Sequence, residues 1–162
     1  MPDEELDETE KASLDIWRQR MSDEPNLPAN WREGIYRGMV EQLRAEKPGL
    51  RSLPTNLVMK MMFTESSYDP RKIGSAGEVG LMQLKPGDAD WFAGKRKSLG
   101  PVQNLADPKE NITRGMSYLK YLIKKTGSTE AGVESYNVGL TAYNEGKRNP
   151  DYVRKVLTRG MR

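Results

Sequence analysis

Leu57-Val58-Met59-Lys60-Met61-Met62-Phe63-Thr64-Glu65-Ser66-Ser67-Tyr68-Asp69-Pro70 is the stretch that decides how the rest of the chain is read. Six of the seven positions 57–63 are apolar. Such near-continuity predicts a helix buried on most sides, not one with a single wet face. Pro54 suits the first turn, where no N–H is needed, and Tyr68-Asp69-Pro70 ends it. Glu65 follows Met62 by three residues, Met61 by four and Leu57 by eight, so its carboxylate projects from the apolar side. A carboxyl held among apolar groups is biased toward its neutral form, and a proton donor working near neutrality needs that bias. Helix position alone leaves a second reading open, an ordinary acid surfacing at the helix end.

Downstream, Gly74-Ser75-Ala76-Gly77-Glu78-Val79-Gly80 is too glycine-rich for a helix and predicts a turn or small hairpin with two or three short strands at most. The next helix is expected from Asp107-Pro108-Lys109-Glu110, a capping-box pattern, with Ile112, Met116, Leu119, Leu122 and Ile123 facing inward. Lys124 and Lys125 suit its last turn and Gly127 its stop. A shorter helix over 129–137 and a final one from Asn149-Pro150, carrying Tyr152, Val153, Val156 and Leu157, complete this half. Upstream, Leu14, Trp17 and Met21 predict a helix over 9–21, broken at Pro25 and Pro28. Asn30 caps a second, with Ile35, Tyr36, Met39, Val40 and Leu43 as its stripe and Pro48-Gly49 as its end. The chain is therefore expected to be mainly α: an acidic, flexible leader over residues 1–10, then a single domain over 11–162.

At 162 residues, with 36% hydrophobic and 30% charged content, the chain fits one compact domain. It has neither Cys nor His, which excludes disulfides, thiol nucleophiles, His-ligated metals and every Ser-His or Cys-His arrangement. Acid–base chemistry falls to carboxylates, Lys or Tyr. No run reaches the roughly 18 uncharged apolar residues of a membrane helix. The start, Met1-Pro2-Asp3-Glu4-Glu5, lacks the basic and apolar regions of a secretory signal, so no membrane insertion and synthesis in the cytoplasm are expected. Residues 1–10 hold six acids and no basic residue, leaving 26 basic against 17 acidic over 11–162, a net of +9. A basic body attracts polyanions generally and does not choose among nucleic acid, anionic lipid and envelope polymers.

Glu65-Ser66-Ser67-Tyr68-Asp69-Pro70 followed by Ser75-Ala76-Gly77-Glu78-Val79-Gly80-Leu81-Met82-Gln83-Leu84 resembles the family 1 lytic transglycosylases of the lysozyme-like fold. Asp107-Pro108, Glu110-Asn111-Ile112, Gly115 and Tyr118-Leu119 are similar to that family's middle helix. Ser135-Tyr136-Asn137-Val138-Gly139 resembles its Ala-Tyr-Asn-Ala-Gly element, and Tyr152-Val153 with Lys155-Val156-Leu157 its closing helix. The likeness spans Leu53 to Leu157, 105 of the 162 residues, and four ordered elements are far more specific than one. Residues 1–52 match nothing in that pattern; the helices expected over 11–52 would pack on the resembling part.

The resemblance implies a lysozyme-like fold with a small β-hairpin or loop region after the catalytic helix. It implies cleavage of the β-1,4 bond between N-acetylmuramic acid and N-acetylglucosamine in peptidoglycan glycan strands, without net addition of water. Glu65 would protonate the glycosidic oxygen, the muramic N-acetyl carbonyl would assist at the anomeric carbon, and the carboxylate would then accept the C6 hydroxyl proton. The product is a 1,6-anhydro sugar. One carboxylate suffices because the substrate's amide replaces the second. No cofactor and no metal are implied. As substrate-binding residues the resemblance implies Ser66 and Ser75 near the acid, Gln83 as a sugar-contacting amide beside a core-filling Met82, and Tyr136 with Asn137 lining the cleft. The Tyr136 hydroxyl would reach the acid. Ser66 and Ser75 read equally as helix-end and turn serines.

Glu78 stands where the family has a small residue, inviting a second catalytic carboxylate and hydrolysis, although an exposed loop acid is the expectation. Lys85 replaces a frequent Met, and Arg148-Asn149 sits where a Glu-Thr pair often precedes the closing Tyr-Val. Ala142-Tyr143-Asn144-Glu145-Gly146 offers a competing register for Tyr136-Asn137, disfavoured by its spacing of 32 rather than 25 residues from Asn111. Gly74, Gly77 and Gly80 lack the Lys-Ser/Thr of a phosphate loop, and Asp88 with Asp90 lacks the order of a calcium loop. Lys95-Arg96-Lys97 beside Trp91 and Phe92 is expected to be a solvated loop, with no specific nucleic-acid binding. Cytoplasmic synthesis and an extracytoplasmic, periplasmic substrate together point to a bacteriophage protein, carried in the virion among other virion proteins or released through a membrane lesion. The rivals are a hydrolytic muramidase on the same fold, a non-catalytic virion or wall-docking protein, and a basic nucleic-acid binder.

Overall fold

The computed structural model describes Leu53 and residues 55–158, with isolated positions Glu8, Asp15, Gln19, Gly34 and Gly38 upstream. The expected leader, the N-terminal helices and the placement of residues 1–52 otherwise lie outside the described residues. Helix α1 (Thr55–Ser66) is buried as its composition requires: Val58, Met59, Met61 and Met62 are fully enclosed and Leu57 nearly so. It stops where Ser67 and Tyr68 enter the left-handed region, at φ 51° and 65°. Such φ values are strained for residues bearing a Cβ. Tyr68 offsets its own with burial, its ring in the core and its hydroxyl 3.3 Å from the Met59 carbonyl.

The glycine-rich segment folds as a tight loop. Antiparallel bridges pair Ile73 with Val79 and Val79 with Leu84, and the Gly74 N–H donates to the Glu78 carbonyl at 2.8 Å. These are single bridges, so among the described residues the hairpin has turns but no continuous strand. Helix α2 (Pro86–Lys95) occupies a stretch that sequence pattern leaves unassigned. Its Phe92 packs at 5.3 Å centroid distance on both Tyr118 and Tyr121. Lys95, Arg96 and Lys97 are exposed as expected, but they close a helix and open a 3-10 turn (Lys97–Leu99) instead of forming an irregular loop.

Helix α3 (Pro108–Thr126) is the central strut. The Asp107 carboxylate caps it, accepting from the Glu110 N–H at 2.9 Å, a contact worth about 1 kcal/mol. Glu110 does not close the reciprocal half of a capping box. Its carboxylate accepts from the Gln103 and Asn104 N–H groups and pairs with Arg114 at 3.0 Å, stitching the preceding loop to the helix. Gly127, at φ 93°, ends α3, and Ser128 caps α4 (Thr129–Val138). A short α5 (Leu140–Asn144) and α6 (Pro150–Thr158) follow, and α6 packs on both α1 and α4. One core joins Leu57, Met61 and Met62 of α1 to Ile112, Met116 and Leu119 of α3, Val133 of α4, and Tyr152 and Val156 of α6. Gly34 and Gly38, both helical, lie against α3: a Cβ at Gly34 would stand 2.9 Å from Pro108, and one at Gly38 3.3 Å from Ile112.

Candidate active site

Because α1 is apolar on nearly every side, the Glu65 carboxyl in its last turn leaves the core where a cleft opens beside it. That opening is a cleft whose edges come from distant parts of the chain: Lys72, Ser75, Glu78 and Gln83 from the loop after α1, and Asn137, Asn149 and Tyr152 from α4 and the start of α6. Asp151 and Lys155 stand on the α6 side as well.

The Tyr152 hydroxyl donates to Glu65 Oε2 at 2.6 Å. Burial pushes the Glu65 carboxyl up to about 7, against the Tyr152 hydrogen bond, which favours the ionised form. The charge of Glu78 raises it further and that of Lys72 lowers it. Lys72 is tethered close by, its Nζ 2.8 Å from the Glu65 backbone carbonyl. Burial likewise drives both the Tyr152 and the Tyr136 phenols well above their usual range, with Glu65 adding to each. The tyrosines are therefore hydrogen-bond donors, not bases, while Glu65 holds its proton up to neutrality. A carboxylic acid so tuned can give a proton to a leaving oxygen and take one back.

The loop that forms one edge is held by Asn111, wholly buried in the first turns of α3. Its Oδ1 accepts from the Met82 N–H at 2.7 Å, and its Nδ2 donates to the Val79 and Leu105 carbonyls, each at 2.8 Å. Gly80, at φ 81°, is the residue that lets the loop come this close, since a Cβ there would lie 2.4 Å from Asn111 Nδ2.

Of the residues expected to bind substrate, Ser75, Gln83 and Asn137 line the cleft. Ser75 is exposed there. Gln83 is buried, and its Nε2 donates to the Lys72 carbonyl at 3.0 Å and the Gly80 carbonyl at 2.8 Å. Asn137 Oδ1 accepts from Asn149 Nδ2 at 2.8 Å.

Two expectations need correction. Ser66 does not face the cleft: its buried hydroxyl shares its one proton between the Leu81 carbonyl at 2.8 Å and the Met62 carbonyl at 3.0 Å, latching the helix end to the loop. Tyr136 does not reach the acid with its hydroxyl, which donates at 2.7 Å to the Met82 carbonyl, while its ring packs on Tyr118. The phenol on Glu65 is that of Tyr152, a residue that the sequence pattern places in the apolar stripe of the last helix. Its signal was the one that singled out Glu65, a polar atom on an otherwise apolar helix face.

Met82 is fully buried, as expected of core. Tyr143 sits outside the cleft, with the Arg148 guanidinium 3.7 Å over its ring, which leaves Tyr136-Asn137 as the cleft register. Glu78 is not a freely exposed loop acid. It is half-buried on the cleft edge, and its Oε1 accepts from the Ala76 N–H at 2.8 Å. Among the described residues no helix is long and apolar enough to cross a membrane, and no cluster of three or more acidic side chains is placed to hold a metal ion.

The described domain is thus mainly helical, with a buried carboxyl pushed up to about 7 on the edge of an open cleft. The chain belongs to the transglycosylase SLT domain family, whose model matches residues 44–156. It is 35% identical over 106 residues to a transglycosylase of Enterobacteria phage PRD1, covering 65% of this chain and 37% of that protein. To the membrane-bound lytic murein transglycosylase C of Haemophilus influenzae it is 35% identical over 127 residues, covering 64% and 36%. The chain thus spans less than two-fifths of the length of these relatives. Among solved structures, the 70 kDa soluble lytic transglycosylase SLT70 of Escherichia coli superposes with a TM-score of 0.56 at 23% identity, over 90% of this chain and 25% of that one. The complex of the 70-kDa soluble lytic transglycosylase with bulgecin A gives 0.57 at 22%, over 93% and 24%. At such identity the two structures speak for the fold, which is lysozyme-like.

Proposed function

We propose that this protein is a peptidoglycan lytic transglycosylase, cutting the bond between N-acetylmuramic acid and N-acetylglucosamine and leaving 1,6-anhydro ends. Glu65 is the acid and then the base. The observation that carries this reading is the Glu65 carboxyl itself, buried at the cleft, pushed up to about 7 and oriented by the Tyr152 hydroxyl. Protonated, it gives its proton to the glycosidic oxygen as that bond breaks. Ionised, it takes the C6 hydroxyl proton as the C6 oxygen attacks the anomeric carbon, so the carboxyl ends the cycle as it began and no water is consumed. The muramic N-acetyl oxygen holds the anomeric carbon in between.

Ser75, Gln83 and Asn137 supply polar contacts to the glycan. The family membership and the named relatives, a phage transglycosylase and a lytic murein transglycosylase, support this assignment. The phage relative also supports a phage-encoded enzyme that meets periplasmic peptidoglycan from a virion or after release. Gly34 and Gly38 against α3 support the packing of an N-terminal helix onto the same domain.

Hydrolysis on the same fold has one observation in its favour, Glu78 on the same cleft edge. Two carboxylates at one glycosidic bond are the arrangement of glycosidases that use water. Mass analysis of muropeptides released from purified sacculi separates the two. Transglycosylation gives products lighter by one water than reducing-end products, and Glu65→Gln gives none; reducing ends alone would assign the enzyme to hydrolysis, and unaltered digestion by Glu65→Gln would remove Glu65 from the chemistry.

A further inference from the structure

Glu134 is a carboxylate in the middle of α4 that the reaction above does not use, and only 11% of its side chain is exposed. Its Oε2 accepts from the Asn149 N–H at 2.8 Å, and its Oε1 lies 3.8 Å from Arg148 Nε. Asn149 is the residue on which α6 begins. Its Oδ1 accepts from the Tyr152 N–H at 3.2 Å, capping the helix, and its Nδ2 reaches Asn137 in the cleft. One turn further, the Tyr152 hydroxyl meets Glu65. Arg148 fixes the connection from the other side by donating to the Tyr143 and Lys147 carbonyls, each at 2.8 Å.

We infer that Glu134 is a positioning residue of the cleft: by accepting the Asn149 N–H it holds the first turn of α6 in place and so sets where the Tyr152 hydroxyl meets Glu65. This rests on Glu65 being the acid. The physical reason is that a helix start leaves its first N–H groups unpaired, and a cap alone does not fix the helix against its neighbours. A carboxylate from α4 does, because its charge-assisted bond is directional and part-buried. The titratable and charged groups around Glu65 are Tyr152 from α6, Tyr136 from α4, Lys72 and Glu78 from the loop, and, on the α6 side of the cleft, Asp151 and Lys155; Glu134 is linked to it through Asn149 and Tyr152.

The test compares Glu134→Met, which fills a similar volume without an acceptor, with Glu134→Gln, which keeps one. Glu134→Met is expected to lower kcat on purified glycan strands about tenfold, the scale of a slight misplacement at the reacting centre. It should also move the alkaline limb of the pH–rate profile upward, since a displaced Tyr152 hydroxyl no longer favours ionised Glu65. Glu134→Gln should recover the rate and the profile. A Glu134→Met enzyme with wild-type kcat and profile overturns the inference, as does a Glu134→Gln enzyme no better than Glu134→Met. Should Glu134→Met fail to fold, Glu134→Asp, which draws the carboxylate back from Asn149, carries the same expectation and the same refutation. Glu65→Gln run alongside keeps the two ideas apart: if it stays active the proposed chemistry fails, whereas an inactive Glu65→Gln beside an unaffected Glu134→Met removes only the positioning role.

Discussion

The Tyr152 hydroxyl and the Glu65 carboxyl, 87 residues apart in sequence, meet at 2.6 Å and tie α1 to α6. A donor on a carboxylate favours its charged form, so this bond restrains the rise in pKa that burial imposes. Tyr152→Phe keeps the ring in the core and removes the donor. Activity is expected to fall by about tenfold through lost orientation. The pH above which the acid fails is expected to rise, because the carboxyl then holds its proton beyond about 7. Initial rates of muropeptide release between pH 5 and 9 measure both effects.

Glu78 acts in the opposite sense. Its negative charge makes ionising Glu65 harder, so Glu78→Gln is expected to lower the Glu65 pKa and shift the alkaline limb of the same profile downward. The product should remain the anhydro sugar, since the proposed chemistry needs only Glu65. A switch in product mass on this substitution would reveal Glu78 as a second catalytic group.

A carboxyl whose folded pKa, about 7, exceeds its ordinary value of 4.5 binds more protons in the folded state than in the unfolded. Stability therefore falls as pH rises from about 4.5 to 7 and levels off above. Glu65→Gln removes that dependence. It is expected to be more stable than wild type at pH 8, by up to the order of 3 kcal/mol, and to show little gain at pH 4. Urea titrations at the two pH values give the difference, which exposes the cost at which the acid is kept in place.

Ser66→Ala tests the latch between α1 and the loop. Removing the hydroxyl leaves the buried Leu81 carbonyl without this donor, at an expected cost of about 1–2 kcal/mol in denaturant melts. Any fall in rate should come through loop order and not through a lost substrate contact. A fully stable Ser66→Ala with a sharply raised KM would restore Ser66 as a binding residue.

How legible these features were depended on where their partners lie. Helix α1 was readable because burial on most sides leaves a near-continuous apolar run, and α3 because Asp107 and Gly127 mark its two ends. Helix α2 was not, since Gly87 and Gly94 weaken its local preference and Phe92 finds its reason only on Tyr118 and Tyr121. The directions of Ser66 and Tyr136 are not legible for a related reason. A hydroxyl in the sequence does not say which carbonyl the folded loop will bring to it, and here the carbonyls are those of Leu81 and Met82.

Local pattern by itself determined that the chain is helical, that Glu65 rides on an apolar face, and that no thiol or imidazole takes part. Those properties depend on residue type and on spacing within a single turn or two. Only the tertiary structure decided which phenol touches the acid, that Glu78 borders the same cleft, and that Glu134 accepts the Asn149 N–H at the start of α6. Each of these is a contact between segments far apart along the chain, and side-chain periodicity carries no information about which helices will be neighbours.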